Sequence, residues 1–232
     1  MLSPQMEDYL KTIYELQCES DGLVSTSSIA ETLDVTAPTA TSMMESLEER
    51  GLVEREKYKG GKLTREGETV AIEVIRHHRL LETYLAERLG YDWTEVHDEA
   101  DRLEHHISEE FERRVAQQLG EPDVDPHGDP IPNDALDPVD EMGGDSLGEH
   151  TEGDEVVVRR VRDRDPEELA YLSDVGITPG THLVIEEVAP IDMVTVQLAD
   201  GETVSLPAAI AAAISVDPVE DSGEEERANR SA

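Results

Sequence analysis

Between residues 121 and 155 the chain holds thirteen acids, five prolines and five glycines, and neither lysine nor arginine. Such a stretch has no apolar periodicity and too little hydrophobic surface to offset the entropy of ordering it. A single core therefore cannot run through it. Apolar residues before it recur at helical spacing, whereas those after it form short β-branched runs, so separate domains are expected on either side. The 232 residues suffice for two or three small domains. The expected class is mainly α with a small β domain.

Ser3-Pro4 is a helix start, and Met6, Tyr9, Leu10, Ile13 and Tyr14 follow on one face. Ser25 or Thr26 is expected to cap a second helix with Ile29, Ala30 and Leu33, and Asp34-Val35-Thr36 reads as a tight turn. Ala37-Pro38 opens a third helix with Ala40, Met43, Met44 and Leu47, closed by Gly51. Two helices joined by so short a turn make a helix-turn-helix. Residues 52–57 and 62–64, joined through Gly60-Gly61, read as a hairpin, which makes the unit a winged helix-turn-helix.

Charge agrees with that use only locally. The chain has 55 acids against 19 bases, yet residues 50–65 hold six bases and two acids, including three of the four lysines. Phosphate contacts are therefore expected from Arg50, Lys57, Lys59 and Lys62. Ser27, Thr36, Ala37, Pro38, Thr39, Thr41 and Ser42 lie on and before the third helix, where small hydrogen-bonding groups would face a major groove. Ordinary capping and surface roles are the alternative for these residues.

Residues 65–89 read as one long helix ended by Gly90, and Thr94 is expected to cap another that runs to Leu119 before Gly120. On the second, His97, Asp101, Glu104 and His105 share a stripe beside an apolar stripe of Val96, Ala100, Leu103, Ile107 and Phe111. His78 and Glu82 stand one turn apart on the first. Imidazole with carboxylate suits a divalent first-row metal, although solvated surface side chains would give the same pattern. Asp8, off the apolar face of the first helix, reads from periodicity alone as a solvated first-turn acid. The two long amphipathic helices offer more apolar surface than a small winged domain covers, which points to a dimer.

Beyond the acidic stretch, Val156-Val157-Val158, Leu183-Val184-Ile185, Val194-Thr195-Val196 and Val204-Ser205-Leu206 read as strands of a small β-barrel, with a helix at 166–173. One cysteine, Cys18, excludes an internal disulfide framework and fits a reducing cytosol. The longest apolar run, 208–216, is too short to span a bilayer, and no stretch resembles a signal peptide, so the expected location is cytoplasmic. Formal charge of -36 with four lysines resembles the composition of proteins from extreme halophiles that work in molar salt; an ordinary acidic protein with disordered tails is the alternative.

Three stretches carry a more specific signal: Met6-Glu7-Asp8-Tyr9-Leu10-Lys11-Thr12-Ile13-Tyr14, His78-Arg79-Leu80-Leu81-Glu82, and residues 96–105. With Pro126-His127-Gly128-Asp129-Pro130-Ile131-Pro132, they make the chain resemble the diphtheria toxin repressor and manganese transport regulator family from about Ser3 to Val216. That resemblance implies a primary metal site on Asp8, Asp101, Glu104 and His105, and a second on His78, Glu82 and His97. It also implies an SH3-like, FeoA-like C-terminal domain. Two departures stand out. Lys11 occupies the place of a glutamate ligand of manganese-type members, and Arg160 that of a ligand of iron-type members, with Asp163 nearby.

The expected protein is a homodimeric, metal-dependent repressor of metal-uptake genes, without enzymatic activity, membrane attachment or small organic ligand. It would bind a palindromic double-stranded operator with Mn(II) or Fe(II) in two sites per protomer. A metallohydrolase, or a metal carrier or storage adaptor, would use the same His/acid helix. Against hydrolysis, residues 97–101 are not an H-E-x-x-H pattern. Expected domains are a winged helix at 1–73, a dimerisation and metal-binding domain at 74–125, a linker at 126–153, the SH3-like domain at 154–216 and a disordered tail at 217–232.

Overall fold

The computed structural model describes residues 2–19, 22–56, 59–139, 144–162, 166–190 and 192–219. Lys57, Asp163 and the tail beyond residue 219 lie outside the described residues. The chain divides into two compact units, 1–142 and 143–232.

The first unit begins with α1 (Pro4–Glu19), α2 (Thr26–Thr32) and α3 (Ala37–Glu49). Ser25 Oγ accepts from the Ser28 amide and Thr36 Oγ1 from the Thr39 amide, so a hydroxyl caps each of the two short helices. The wing pairs β1 (Val53–Glu56) with β2 (Gly60–Leu63) in antiparallel register. Val24 joins it, exchanging two backbone hydrogen bonds with Gly61. Gly60 is required there: its φ is 125°, and a Cβ would lie 2.1 Å from the Val24 carbonyl oxygen. Leu10, Ile13, Ile29, Met44, Leu47, Ile72 and Ile75 are fully buried at the centre of this core.

Ile72 and Ile75 come from α4 (Arg65–Tyr84), which runs unbroken across the expected border at 73/74. A π-helical turn, Leu85–Leu89, ends it at Gly90 with φ 74°. The next expected helix is two. Thr94 is not its cap but bonds back to Asp92 Oδ1, and α5 (Val96–Leu103) starts beyond it. Ser108 then caps a separate α6 (Glu109–Leu119), its Oγ accepting from the Phe111 amide. Capping at Ser108 ends the apolar stripe early: Val96 and Ala100 are buried, whereas Phe111 is 44% exposed.

The linker expected from residue 126 is packed in its first part. Asp125, His127, Asp129 and Ile131 are all buried. Two buried arginines of α4 explain this. Arg79 donates to the Pro130 carbonyl (2.6 Å) and approaches Asp129, and Arg76 donates to the Pro132 carbonyl, Asp134 and Glu112. Composition suggested disorder because the donors that satisfy this segment lie about 50 residues upstream.

In the second unit, β3 (Asp145–Ser146), β4 (Glu155–Val161), β5 (His182–Ala189), β6 (Met193–Leu198), β7 (Thr203–Pro207) and β8 (Ile214–Pro218) form one antiparallel sheet, ordered β3-β8-β4-β5-β6-β7. Among the described residues no ladder joins β7 to β3. The sheet is therefore open and not the closed barrel expected. Irregularities at Val158/Arg160 and Ile185/Glu187 interrupt the ladders. Alternating Val156, Val158, Leu183, Ile185, Val194 and Val196 are buried, as are Leu169 and Leu172 of α7 (Pro166–Asp174). A short α8 (Ala208–Ala212) absorbs most of the late apolar run. No helix among the described residues is long and apolar enough to cross a membrane.

Candidate metal centre

The structure brings the seven side chains expected as ligands together where α1, α4 and α5 meet. Asp8 comes from α1, His78 and Glu82 from α4, and His97 and Asp101 from α5. Glu104 and His105 follow the last turn of α5, where the helix stops and the chain bends. Glu104 is thereby left only 2% exposed.

Two groups of three donors result, Asp8–Glu104–His105 and His78–His97–Asp101, each with ligand atoms within 4.8 Å of one another. In the first, His105 Nε2 lies 2.7 Å from Asp8 Oδ1 and 3.3 Å from Glu104 Oε1, and Glu7 contacts its Nδ1 at 2.8 Å. In the second, His78 Nε2 lies 3.1 Å from His97 Nδ1 and 3.0 Å from Glu82 Oε1. His97 Nε2 is 3.5 Å from Asp101 Oδ2, so Asp101 stands with the histidine pair rather than with Asp8.

Lys11 sits between the two groups. Its Nζ is 3.1 Å from Glu104 Oε2, 3.3 Å from Asp101 Oδ1 and 3.1 Å from His78 Nδ1. Burial opposes its charge, but Glu104, Asp101 and Glu15 outweigh burial and hold its pKa above the usual lysine range. Burial and Lys11 likewise oppose protonation of His78, and Glu82, Asp101 and Glu104 overcome them, so its pKa lies well above the ordinary imidazole value. His78 Nδ1 also lies 2.6 Å from Glu104 Oε2, closer than Lys11 Nζ does. Asp101 and Glu104 are held below the usual carboxylate range despite burial, by their hydrogen bonds to His78 and by Lys11. Asp8 is pushed up, chiefly by burial.

A third group, Glu82–Asp125–His127, is wholly buried, and Asp125 and His127 were missed as candidate ligands. His127 donates Nε2–H to the Trp93 carbonyl at 2.8 Å, which turns Nδ1 toward Glu82 Oε2 at 3.7 Å. Burial, Asp129 and Glu82 push the Asp125 pKa well up. Helical periodicity does not register an Asp-Pro-His run in a loop, and the resemblance through residues 126–132 attaches no ligand role to it. Glu82 Oε2 is buried with no hydrogen-bond partner among the described residues, an atom whose desolvation a cation would offset. Nitrogen and oxygen donors at this density fit a divalent first-row ion.

The expected DNA-facing residues lie on the winged unit. Ser27, Thr36, Ala37, Pro38, Thr39, Ser42, Arg50, Lys59 and Lys62 are exposed and Thr41 is half-buried. Thr36 is engaged as the cap of α3 and Thr41 donates to the Ala37 carbonyl. The described wing bases are also held by acids: Lys59 by Glu56, Lys62 by Glu54, and Arg55 by Glu45 and Glu48.

Residues 1–61 match the N-terminal DNA-binding domain of iron-dependent repressors, and 64–133 match their metal-binding and dimerisation domain. The chain belongs to the iron-dependent repressor family. Its last match, at 146–218, is the FeoA domain, the small β domain expected there. The iron-dependent repressor IdeR of Mycobacterium tuberculosis is 36% identical over 225 residues, 92% of this chain and 96% of that protein. The diphtheria toxin repressor of Corynebacterium glutamicum is 37% identical over 189 residues, 77% and 82% of the two chains. A manganese-dependent transcriptional repressor solved in complex with manganese superposes with a TM-score of 0.85 at 39% identity, over 92% of this chain and all of that one. Iron-dependent repressors are regulators rather than enzymes, so the metallohydrolase alternative falls away, and the DNA-binding match removes the carrier without DNA binding.

Proposed function

We propose that this chain is a cytoplasmic, homodimeric repressor of metal-uptake genes that grips a palindromic operator when Mn(II) is bound. The observation that carries the proposal is the pairing of Asp8 on α1 with His105 beyond α5 at 2.7 Å. It links the winged unit's first helix to the segment matched as a dimerisation domain.

Asp8, Glu104 and His105 would hold one ion, and His78, Glu82 and His97, with Asp101 beside them, a second. A bound cation supplies a point of positive charge that acids from three helices share. The residues do the rest. Asp8 ties α1, and Glu104 and His105 tie the turn after α5, so the winged unit is fixed relative to the helices that pair two protomers. Leu89, Tyr91, Phe111 and Val124, exposed in or beside the dimerisation segment, supply apolar surface for that pairing. Two recognition helices must enter grooves about 34 Å apart or a multiple of it, and fixing the winged units favours that spacing. Thr39 and Ser42 on α3 are the proposed base-reading side chains, with Lys59 and Lys62 on phosphate.

Carboxylate at both Asp8 and Asp101 favours the harder Mn(II), with Fe(II) as its competitor. Arg160, in β4, brings no anionic ligand from the second unit. Titrating a promoter fragment at high KCl, anaerobically, with Mn(II), Fe(II) or chelator tests the proposal. Operator binding that ignores metal would overturn it, and a clear Fe(II) advantage would overturn the metal preference alone.

A further inference from the structure

We infer that Lys11 is a tethered cation that permanently fills one of two adjacent cation positions in the cluster, leaving room for one metal ion beside Glu104. The inference rests on the metal-site proposal above. Glu104 divides its two oxygens: Oε1 faces His105, 3.3 Å away, and Oε2 faces Lys11 Nζ, 3.1 Å away. On the lysine side the surrounding atoms are Glu104 Oε2, Asp101 Oδ1 and His78 Nδ1, the same mixture of oxygen and nitrogen that surrounds the Asp8 side. A carboxylate with one oxygen in each of two such pockets is a bridge between two cations, and one of the two is supplied by the chain.

Three features keep the ammonium in place. Its side chain is 15% exposed and that of Glu104 1%, so little water competes for the pair. Attachment to α1 makes its local concentration independent of the solution. Removing it would leave the buried Glu104 carboxylate sharing His78 with Asp101 and no ammonium on its Oε2, a cost borne chiefly by Glu104. The consequence is a cluster whose carboxylates are partly neutralised before metal arrives, and which takes up a divalent ion beside Glu104 without assembling a bridged pair.

Mn(II) electron paramagnetic resonance of the full-length protein, with amine acylation mapped to each lysine by mass spectrometry, tests this. The wild type loaded with Mn(II) is expected to give an uncoupled six-line spectrum, with Lys11 acylated equally slowly with and without the ion. Lys11→Met, close in length and uncharged, is expected to give an exchange-coupled spectrum as a further ion takes the vacated position next to the one held by Asp8, Glu104 and His105. A coupled pair in the wild type, Mn(II)-stimulated acylation of Lys11, or an uncoupled spectrum from fully loaded Lys11→Met would each overturn the inference. The two wild-type measurements decide it even if the variant does not fold. A wild type that takes up no Mn(II) at all would instead overturn the metal-site proposal on which it rests.

Discussion

Acids and bases meet in the wing and in the cluster between α1, α4 and α5, with similar partners and very different surroundings. In the wing, Lys59 and Glu56 lie 2.8 Å apart with side chains 70% and 54% exposed. In the cluster, Lys11 and Glu104 lie 3.1 Å apart with side chains 15% and 1% exposed. Solvent and salt screen the first pair, so DNA phosphate can replace Glu56 at little cost. The second pair is shielded from both, so any ion entering beside it must settle with protons and ammonium already in place. One region is thus adjusted by salt and the other by pH.

The comparison is broken most directly by removing a buried base. Arg79→Met takes the guanidinium from Asp125, Asp129 and the Pro130 carbonyl and leaves two buried acids together, one of them, Asp125, beside Glu82. A loss of about 3–5 kcal/mol is expected in chemical denaturation. A loss no larger than that of a wing variant would show that burial does not separate the two regions. Next in size is His105→Ala, which removes the donor facing both Asp8 and Glu7 while leaving the apolar stripe intact. Metal should then no longer tighten operator binding, a loss of roughly 5- to 150-fold for a coupling of about 1–3 kcal/mol. An unchanged metal response would exclude His105 as a ligand.

Acid titration sharpens the same contrast, with opposite signs for two observables. Because the folded pKa of His78 is raised, its contribution to metal-free stability is present below the ordinary imidazole pKa of about 6.5 and is lost as pH rises through the raised value. Asp101 and Glu104, held low, contribute above the ordinary carboxylate range and lose that contribution as pH falls. The chelated protein should therefore melt at a lower temperature at pH 9 than at pH 6, while Mn(II) affinity rises over the same interval as protons leave the ligands. A melting temperature that is flat or rises between those values would mean that His78 is not held protonated by its carboxylates.

Helical parts of the centre were legible because helices repeat: His78 with Glu82 and His97 with Asp101 each stand one turn apart and do converge. Asp8 was not legible from periodicity, since its partner His105 is 97 residues away and only the fold joins them. Family resemblance supplied it. The break after Leu103 is hidden by an apolar pattern that continues through Ile107, although serine at 108 is a favoured N-cap residue. Asp125 and His127 were hidden for a different reason. Their segment has the composition of a linker, and what orders it is Arg76 and Arg79 on the far side of the contact. The sheet strands were visible by alternation, but closure depends on pairing between edges, which no local pattern encodes.

The smallest effect belongs to the wing and tests the comparison from its exposed side. Lys59→Ala with Lys62→Ala removes two bases whose carboxylate partners are Glu56 and Glu54 on the same hairpin. Stability should stay within the error of a thermal melt, because each pair is solvated and each freed acid returns to water. DNA binding should weaken by a similar factor for operator and unrelated sequence, since phosphate contacts carry no sequence information. The plot of log affinity against log salt should become shallower by about two, one for each lost phosphate contact. In molar salt the double variant and the wild type should converge, because little counterion release is left to lose. A change confined to the operator would place these lysines at base edges, and a marked fall in melting temperature would mean that the wing pairs are held as firmly as those around Lys11.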